Sequence, residues 1–256
     1  MKYIAFAAEK AVHEGGSIEA IPGFGGRSDL WVMLADGTKA WPLTNTPNVK
    51  WSRVIIPQFS HDGSKLTWAE QIRPSKFARA DGWSIKVADF VETNQGPRLQ
   101  NMHTFEPGGS AFYETYGLSP DGTKIIFCSD CRTHGFFHQQ IFDMDLNGSN
   151  MRMLTDGKNY HEHASYSPDG RHIIWMTSDG NRNAGTDWWI MNADGSNKRR
   201  LTHFNLRGYP ESCPRPVFAV LVGWAPNGAE CLGGVQYSLI KQEGRLIHMS
   251  LDESLL

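Results

Sequence analysis

No stretch of apolar residues in this 256-residue chain approaches the ~18 needed to cross a bilayer as a helix, so no membrane insertion is expected. A surplus of charge is also lacking: 25 Lys and Arg stand against 27 Asp and Glu, a formal balance of -2. With so little basic excess to neutralise phosphates or press against an anionic bilayer, nucleic acid is not an expected partner. Cysteine is scarce. Cys128, Cys131, Cys213 and Cys231 are too few for a disulfide scaffold and show no paired zinc-ribbon spacing. Strong helix templates are missing, as is any Gly-x-Ser-x-Gly elbow, which removes a Ser-His-Asp hydrolase of the α/β type. The opening residues, Met1 to Glu9, hold a short apolar run, but Glu9-Lys10 interrupts it, and it reads as a strand rather than an export leader.

What is present is apolar material for a large core: 40% hydrophobic residues, 11% aromatic, with nine Trp. One domain over residues 1–256 is expected. The main signal is internal repetition. Ser119-Pro120-Asp121-Gly122-Thr123-Lys124-Ile125-Ile126-Phe127 matches Ser167-Pro168-Asp169-Gly170-Arg171-His172-Ile173-Ile174-Trp175 almost without gaps. Each copy runs on to a second turn, Asn147-Gly148-Ser149 or Asp194-Gly195-Ser196, and closes on Leu154-Thr155 or Leu201-Thr202. Looser copies begin at Ser60-His61-Asp62-Gly63 and Ala225-Pro226-Asn227-Gly228, and Asp36-Gly37 with Leu43-Thr44 repeats the closing half. Asp-Gly and Asn-Gly favour the positive-φ geometry of tight hairpin turns, so each unit divides into four short strands. A four-stranded unit of ~40–45 residues is the blade of a propeller.

The Ser-Pro-Asp-Gly turn, the apolar strand after it, the Gly-Ser turn and the closing Leu-Thr together resemble the TolB-like β-propeller repeat over nearly the whole chain, most closely over 111–202. The resemblance implies an all-β propeller of about five four-stranded blades, near 1–45, 54–105, 111–155, 160–202 and 217–251. It implies little about activity, since such propellers serve as binding modules, peptidase lids and lyases. Lys2-Tyr3-Ile4-Ala5-Phe6 aligns with Lys124-Ile125-Ile126-Phe127, so the first blade is expected to lack its innermost strand. The ring would then be closed by a segment upstream, by the tail at 251–256, or by self-association through the open seam. Proteins with this repeat are often exported. The resemblance thus implies a periplasmic or extracellular place, although the chain shows no signal peptide and the sequence leaves the compartment open.

Antiparallel strands send alternate connections to opposite ends of a propeller. The short turns share one end; the other collects the long loops at 9–29, 70–83, 129–139 and 178–187 and the blade links at 45–53, 106–112, 156–163 and 203–216. Long loops on a rigid scaffold are where binding concentrates. Six of the ten histidines fall there: His13, His134, His138, His161, His163 and His203. So do Arg53, Glu70, Arg73, Glu114, Arg132, Glu162, Asp187, Glu211 and Arg215. A ligand-binding set of Arg53, Glu70, Arg73, Glu114, Arg132, His134, His138, Asp187 and His203 follows, suited to a polar or anionic small molecule, a glycan or a peptide. The competing reading is that loops collect polar residues and pair them with one another.

His161-Glu162-His163 is the sharpest local feature. On a regular strand the period of two would place both imidazoles on one side, ~6–7 Å apart, within reach of one metal ion. The pair resembles the manganese-binding His-x-His of oligogalacturonate lyases, standing seven and five residues before Pro168. The family's third histidine would fall at Thr115 and its glutamine near Lys158, so half the set is kept. A divalent metal (Mn, Zn or Ca) is the cofactor this pair implies; the sequence alone names none. In a lyase of acidic sugars, Arg132, His134 or His203 would serve as base. In the opposite reading His163 lines the channel mouth and His161 is solvated. Cys128 continues the alternation of Ile126 and reads as core, and Trp188-Trp189 reads as inter-blade filling. The expectation is a binding module using its long-loop face, with the metal-dependent lyase as the alternative and catalytic residues unassigned.

Overall fold

A computed structural model of the chain describes residues 2–11, 20, 23–75, 80–135, 137–181, 185–238 and 243–252. Five antiparallel sheets follow one another along the chain. The first holds β1 (Tyr3–Glu9), β2 (Ser28–Leu34) and β3 (Ala40–Pro42). The second holds β4 (Arg53–Phe59), β5 (Lys65–Gln71), β6 (Trp83–Thr93) and β7 (Gly96–Phe105). The third is β8 (Tyr113–Leu118), β9 (Lys124–Ser129), β10 (Gln140–Asp145) and β11 (Arg152–Met153). The fourth is β12 (His161–Tyr166), β13 (His172–Thr177), β14 (Asp187–Asn192) and β15 (Arg199–Arg200). The fifth is β16 (Phe218–Trp224), β17 (Glu230–Ser238) and β18 (Glu243–Ser250). Successive sheets meet through β1 and β4, β4 and β8, β8 and β12, and β12 and β16. The protein is thus a five-bladed all-β propeller whose first and last sheets have three strands among the described residues. Short β3 matches the outer-edge strands β11 and β15, so β1 takes the place of a second strand, as the alignment of Lys2–Phe6 predicts.

The repeated motifs make the same bonds in each copy that keeps the serine and the aspartate. In the opening turn the serine hydroxyl donates to the aspartate two residues on: Ser60 to Asp62 at 2.6 Å, Ser119 to Asp121 at 2.5 Å, Ser167 to Asp169 at 2.6 Å. It also accepts the amide five residues on, at Lys65, Lys124 and His172. The glycine must take φ of 74°, 70° and 72° at Gly63, Gly122 and Gly170, a region any Cβ would strain. The closing Leu-Thr is a clasp. Its threonine hydroxyl accepts a strand amide, from Leu30 to Thr44 at 2.8 Å, from Ile141 to Thr155 at 3.1 Å and from Trp188 to Thr202 at 3.0 Å. The same hydroxyl donates to the residue before that amide: Asp29, Gln140 or Asp187. The short fourth strand is thereby tied to the third.

Between blades the core is continuous. One cluster runs from Ile55 and Trp83 through Phe112, Phe127 and Phe142 to Ile173 and Trp175, linking the second, third and fourth sheets. A second joins the fourth and fifth around Trp188, and a third joins the first and second around Trp68. Trp188 is fully buried and donates from Nε1 to the Val220 carbonyl at 3.1 Å, the inter-blade role its sequence context suggests. A Cβ at Gly233 would lie 2.3 Å from this ring, so glycine is what lets the fifth sheet close on it. Removing such a ring costs roughly 3–5 kcal/mol. Among the described residues no helix is long and apolar enough to cross a membrane.

Candidate functional site

Each blade is latched to the next at the end where the long connections gather. Arg27 donates its amide to Ser52, Trp83 to Ala111, His161 to Gln139, and Thr186 to Val217. Isolated bridges join Gly26 to Arg53 and Thr186 to Phe218. The loops of neighbouring blades therefore share one rigid rim. Arg53 is buried there, its Nη1 donating to the Phe24 carbonyl at 3.0 Å, which holds the first loop against β4. Asp187 is fully buried and accepts from Phe204 N at 2.7 Å, Arg200 Nη1 at 2.9 Å, Thr202 Oγ1 at 3.1 Å and Asn205 Nδ2 at 3.3 Å. Glu70 accepts from Trp68 Nε1 at 3.0 Å and lies 3.9 Å from Lys86. Arg73 makes a forked pair with Glu106, one arm at 2.9 Å. All four of these expected ligand residues have partners inside the protein, Glu70 within its own sheet and Arg53, Arg73 and Asp187 among the loops and links.

Others reach solvent. Arg132, His134 and His138 are exposed on the β9–β10 connection, together with Phe137. His203 stacks on Tyr209 with ring centroids 3.8 Å apart, and its Nδ1 stands 3.0 Å from Glu211 Oε1. The imidazole and guanidinium groups of 132–138 and the 203–211 pair lie on the same end of the propeller but on different blades. Arg215 is exposed on the same link, and His13 falls outside the described residues.

The His161-Glu162-His163 strand departs from simple alternation. A β-bulge between Glu162 and Ser165 shifts the register against β13, and His163 takes φ of 53°. The same irregularity recurs in β4, β8 and β16, with Ile56 at φ 49° in the position equivalent to His163, so it belongs to the blade and not to this site. Its consequence is that the two imidazoles go to different partners. His161 is buried, not solvated, and its Nδ1 accepts from Trp175 Nε1 at 3.1 Å. Burial pushes its pKa down to about 4, so it is neutral at neutral pH, with the remaining proton on Nε2, 3.8 Å from Asp156. His163 instead stands edge-on to Tyr116 at 5.8 Å and points Nε2 at Glu114, 3.8 Å away, and at Glu162, 3.9 Å away.

Sequence reasoning did not bring these acids together with Cys128. Glu114 and Cys128 face each other across β8 and β9, and Glu162 comes from the neighbouring blade. Tyr116 donates its hydroxyl to Cys128 Sγ at 3.1 Å, and Cys128 Sγ lies 4.0 Å from Glu162 Oε1. Burial first, then the negative charge around Cys128, Glu114 and Glu162, holds the Tyr116 hydroxyl well above its usual pKa. The only sequence signal was the position of Glu114 and Glu162 near the start of equivalent strands. Cys131, despite its spacing from Cys128, is buried at a different place, against Gly108, and all four cysteines are free thiols.

Short turns at one end, latched loops at the other and five sheets in chain order define a β-propeller similar to TolB propeller domains and to the propellers of prolyl oligopeptidases. No family model matches the chain. TolB from Acinetobacter baumannii superposes with a TM-score of 0.61 at 16% identity, covering 98% of this chain and 51% of that one. The puromycin-hydrolyzing peptidase of Mycobacterium tuberculosis gives 0.58 at 12% identity, covering 88% of this chain and 32% of that one. Prolyl oligopeptidase B from Galerina marginata gives 0.55 at 10% identity, covering 98% and 33%. At these identities the likeness is one of fold. In sequence, the uncharacterized protein Atu1656 of Agrobacterium fabrum is 31% identical over 90 residues, 34% of this chain and 27% of that protein. The chain thus matches about half the length of the TolB structure and about a quarter of this curated relative.

Proposed function

We propose that the protein is a binding module that holds an extended peptide or protein segment on its long-loop face. The observation that carries this reading is the placement of exposed aromatic rings. Phe24, Phe137 and Tyr209 are exposed at 39%, 68% and 44%, and each belongs to a long connection at the same end of the propeller. They come from three separate loops. Aromatic anchors ringed by polar groups are the usual makeup of a recognition surface, and here Arg132, His134, His138 and the His203–Glu211 pair supply the polar surround. The shallow depression between the opening turns of the fourth and fifth blades, lined by Pro168, Arg171 and Pro226, lies at the other end.

The lyase alternative has less support, because its His-x-His pair is divided between Trp175 and the Glu114–Glu162 group. The test is peptide selection from a displayed random library on the intact chain, followed by affinity measurement on F137S/Y209S and on R171A at the opposite end. The expected result is a loss of tenfold or more in the double variant, at ~1–2 kcal/mol per anchor, with R171A unchanged. Selected peptides that bind F137S/Y209S as tightly as the parent would overturn the proposal.

A further inference from the structure

Every sheet except the first has a strand inside its second strand: β4 beside β5, β8 beside β9, β12 beside β13 and β16 beside β17. β1 stands where those second strands stand, and among the described residues it is paired on one side only, to β2. The bonds at its two ends fix which groups are left over. Ala35 donates its amide to the Lys2 carbonyl and Lys10 to that of Arg27, so along β1 the even-numbered residues bond across to β2. The alternation of an antiparallel ladder then turns the N–H and C=O of Tyr3, Ala5 and Ala7 to the open side. In the other sheets those groups are taken. Tyr3 is the counterpart of Lys65, Lys124, His172 and Glu230, each the first residue of its strand. Their carbonyls accept an amide from just past the end of the inner strand, from Ser60 at 2.9 Å, Ser119 at 2.9 Å, Ser167 at 2.8 Å and Ala225 at 2.8 Å. Among the described residues nothing does this for Tyr3. Burial agrees: β9 and β13 are almost wholly buried, whereas in β1 only Tyr3 is, and Ile4 is 40% exposed.

We propose that the open edge of β1 binds one extended segment of another polypeptide, which adds to the first sheet as its innermost strand. The four occupied sheets state the chemistry of that segment, because each shows what fills this place. It is a strand antiparallel to its neighbour that ends on a large apolar residue, Phe59, Leu118, Tyr166 or Trp224, each packed against the core. Directly after it comes a small residue, serine or alanine, whose amide reaches the carbonyl of the strand outside. A folded second copy of this chain has no such strand to spare, since its own β4, β8, β12 and β16 are each paired within their sheets. Main-chain bonds to Tyr3, Ala5 and Ala7 would supply the affinity, and the pocket for the terminal apolar side chain the selectivity. The edge is separate from the exposed rings of the long-loop face and does not depend on what they bind.

The experiment titrates the full chain into fluorescently labelled peptides copied from its own inner strands, residues 111–120 and 159–168, and into scrambled versions of both. Saturable binding of one equivalent is expected for the ordered peptides, at least ~10-fold tighter than for the scrambled ones. A5P removes an N–H that β2 does not use, a place where an edge strand tolerates proline, and should weaken binding by at least ~10-fold. F137S/Y209S should bind the strand peptides as the parent does, which separates this edge from the loop face. No saturable binding by the parent, or equal binding by A5P, would overturn the assignment. A parent chain that dimerises in the ultracentrifuge without peptide, and that A5P makes monomeric, would overturn it in favour of a second copy. If A5P does not give the parent's far-ultraviolet circular dichroism, amide exchange in the parent decides: bound peptide should slow exchange at Ala5 and Ala7, and unchanged rates there would overturn the proposal.

Discussion

Asp187 and Asp62 show how differently two carboxylates can serve one fold. Asp187 is fully buried under four donors, among them Arg200 and the amide of Phe204. Removing one member of a buried pair leaves the other charge uncompensated, so D187A is expected to lose ~3–5 kcal/mol in urea unfolding, with D187N losing less because it keeps acceptor capacity. Asp62 lies on the surface, where the Ser60 hydroxyl and then the amide and hydroxyl of Ser64 lower its pKa to about 2. A lowered carboxylate stabilises the fold above its unfolded value near 3.8 and ceases to do so as pH falls through about 2. D62N is therefore expected to be less stable than the parent at pH 7 and equal to it below pH 2. The gap should be at most ~1 kcal/mol because solvent screens the site. Sequence alone could not separate Asp187 from a ligand residue: a polar side chain at a loop junction looks the same whether it faces outward or is folded under the rim.

At the scale of the element, the strands and turns were legible because their bonds are local. A serine that must reach an aspartate two residues on, and a glycine that must take positive φ, leave a mark in any copy of the repeat. The closing Leu-Thr was visible as a repeat, but its purpose appeared only when Thr202 was seen to accept the amide of Trp188 and donate to Asp187. T202V keeps the shape and leaves a buried amide without its acceptor. It is expected to cost ~1–3 kcal/mol, read from the shift in urea midpoint at unchanged slope. The bulge in β12 was not legible: nothing in His161-Glu162-His163 announces it. Alternation is a property of a regular strand, and the bulge that redirects His163 is one that β4, β8 and β16 share, with one extra residue on the bulged strand.

For the whole molecule, stability should be graded from the middle blades outward. The second, third and fourth sheets have four strands and share one continuous core, with β9 and β13 almost wholly buried. The outer strand of the fifth sheet is mostly exposed, with Leu246 at 75%. Hydrogen exchange should find the β9 and β13 amides opening only with global unfolding and those of β18 opening well before it. Uniform protection across β9, β13 and β18 would contradict this grading.

The amino-acid order by itself determined the blade: four strands, their turns, their spacing, and the end to which the histidine-bearing loops go. Each of those follows from contacts between near neighbours along the chain and from the antiparallel rule. Only the tertiary structure decided which polar groups meet. Glu114 and Cys128 lie on paired strands of one sheet and Glu162 on the next, and their proximity exists because adjacent wedge-shaped sheets press together near the axis. That pressing depends on the summed shape of buried rings such as Phe112, Phe127 and Trp175, which no short motif encodes.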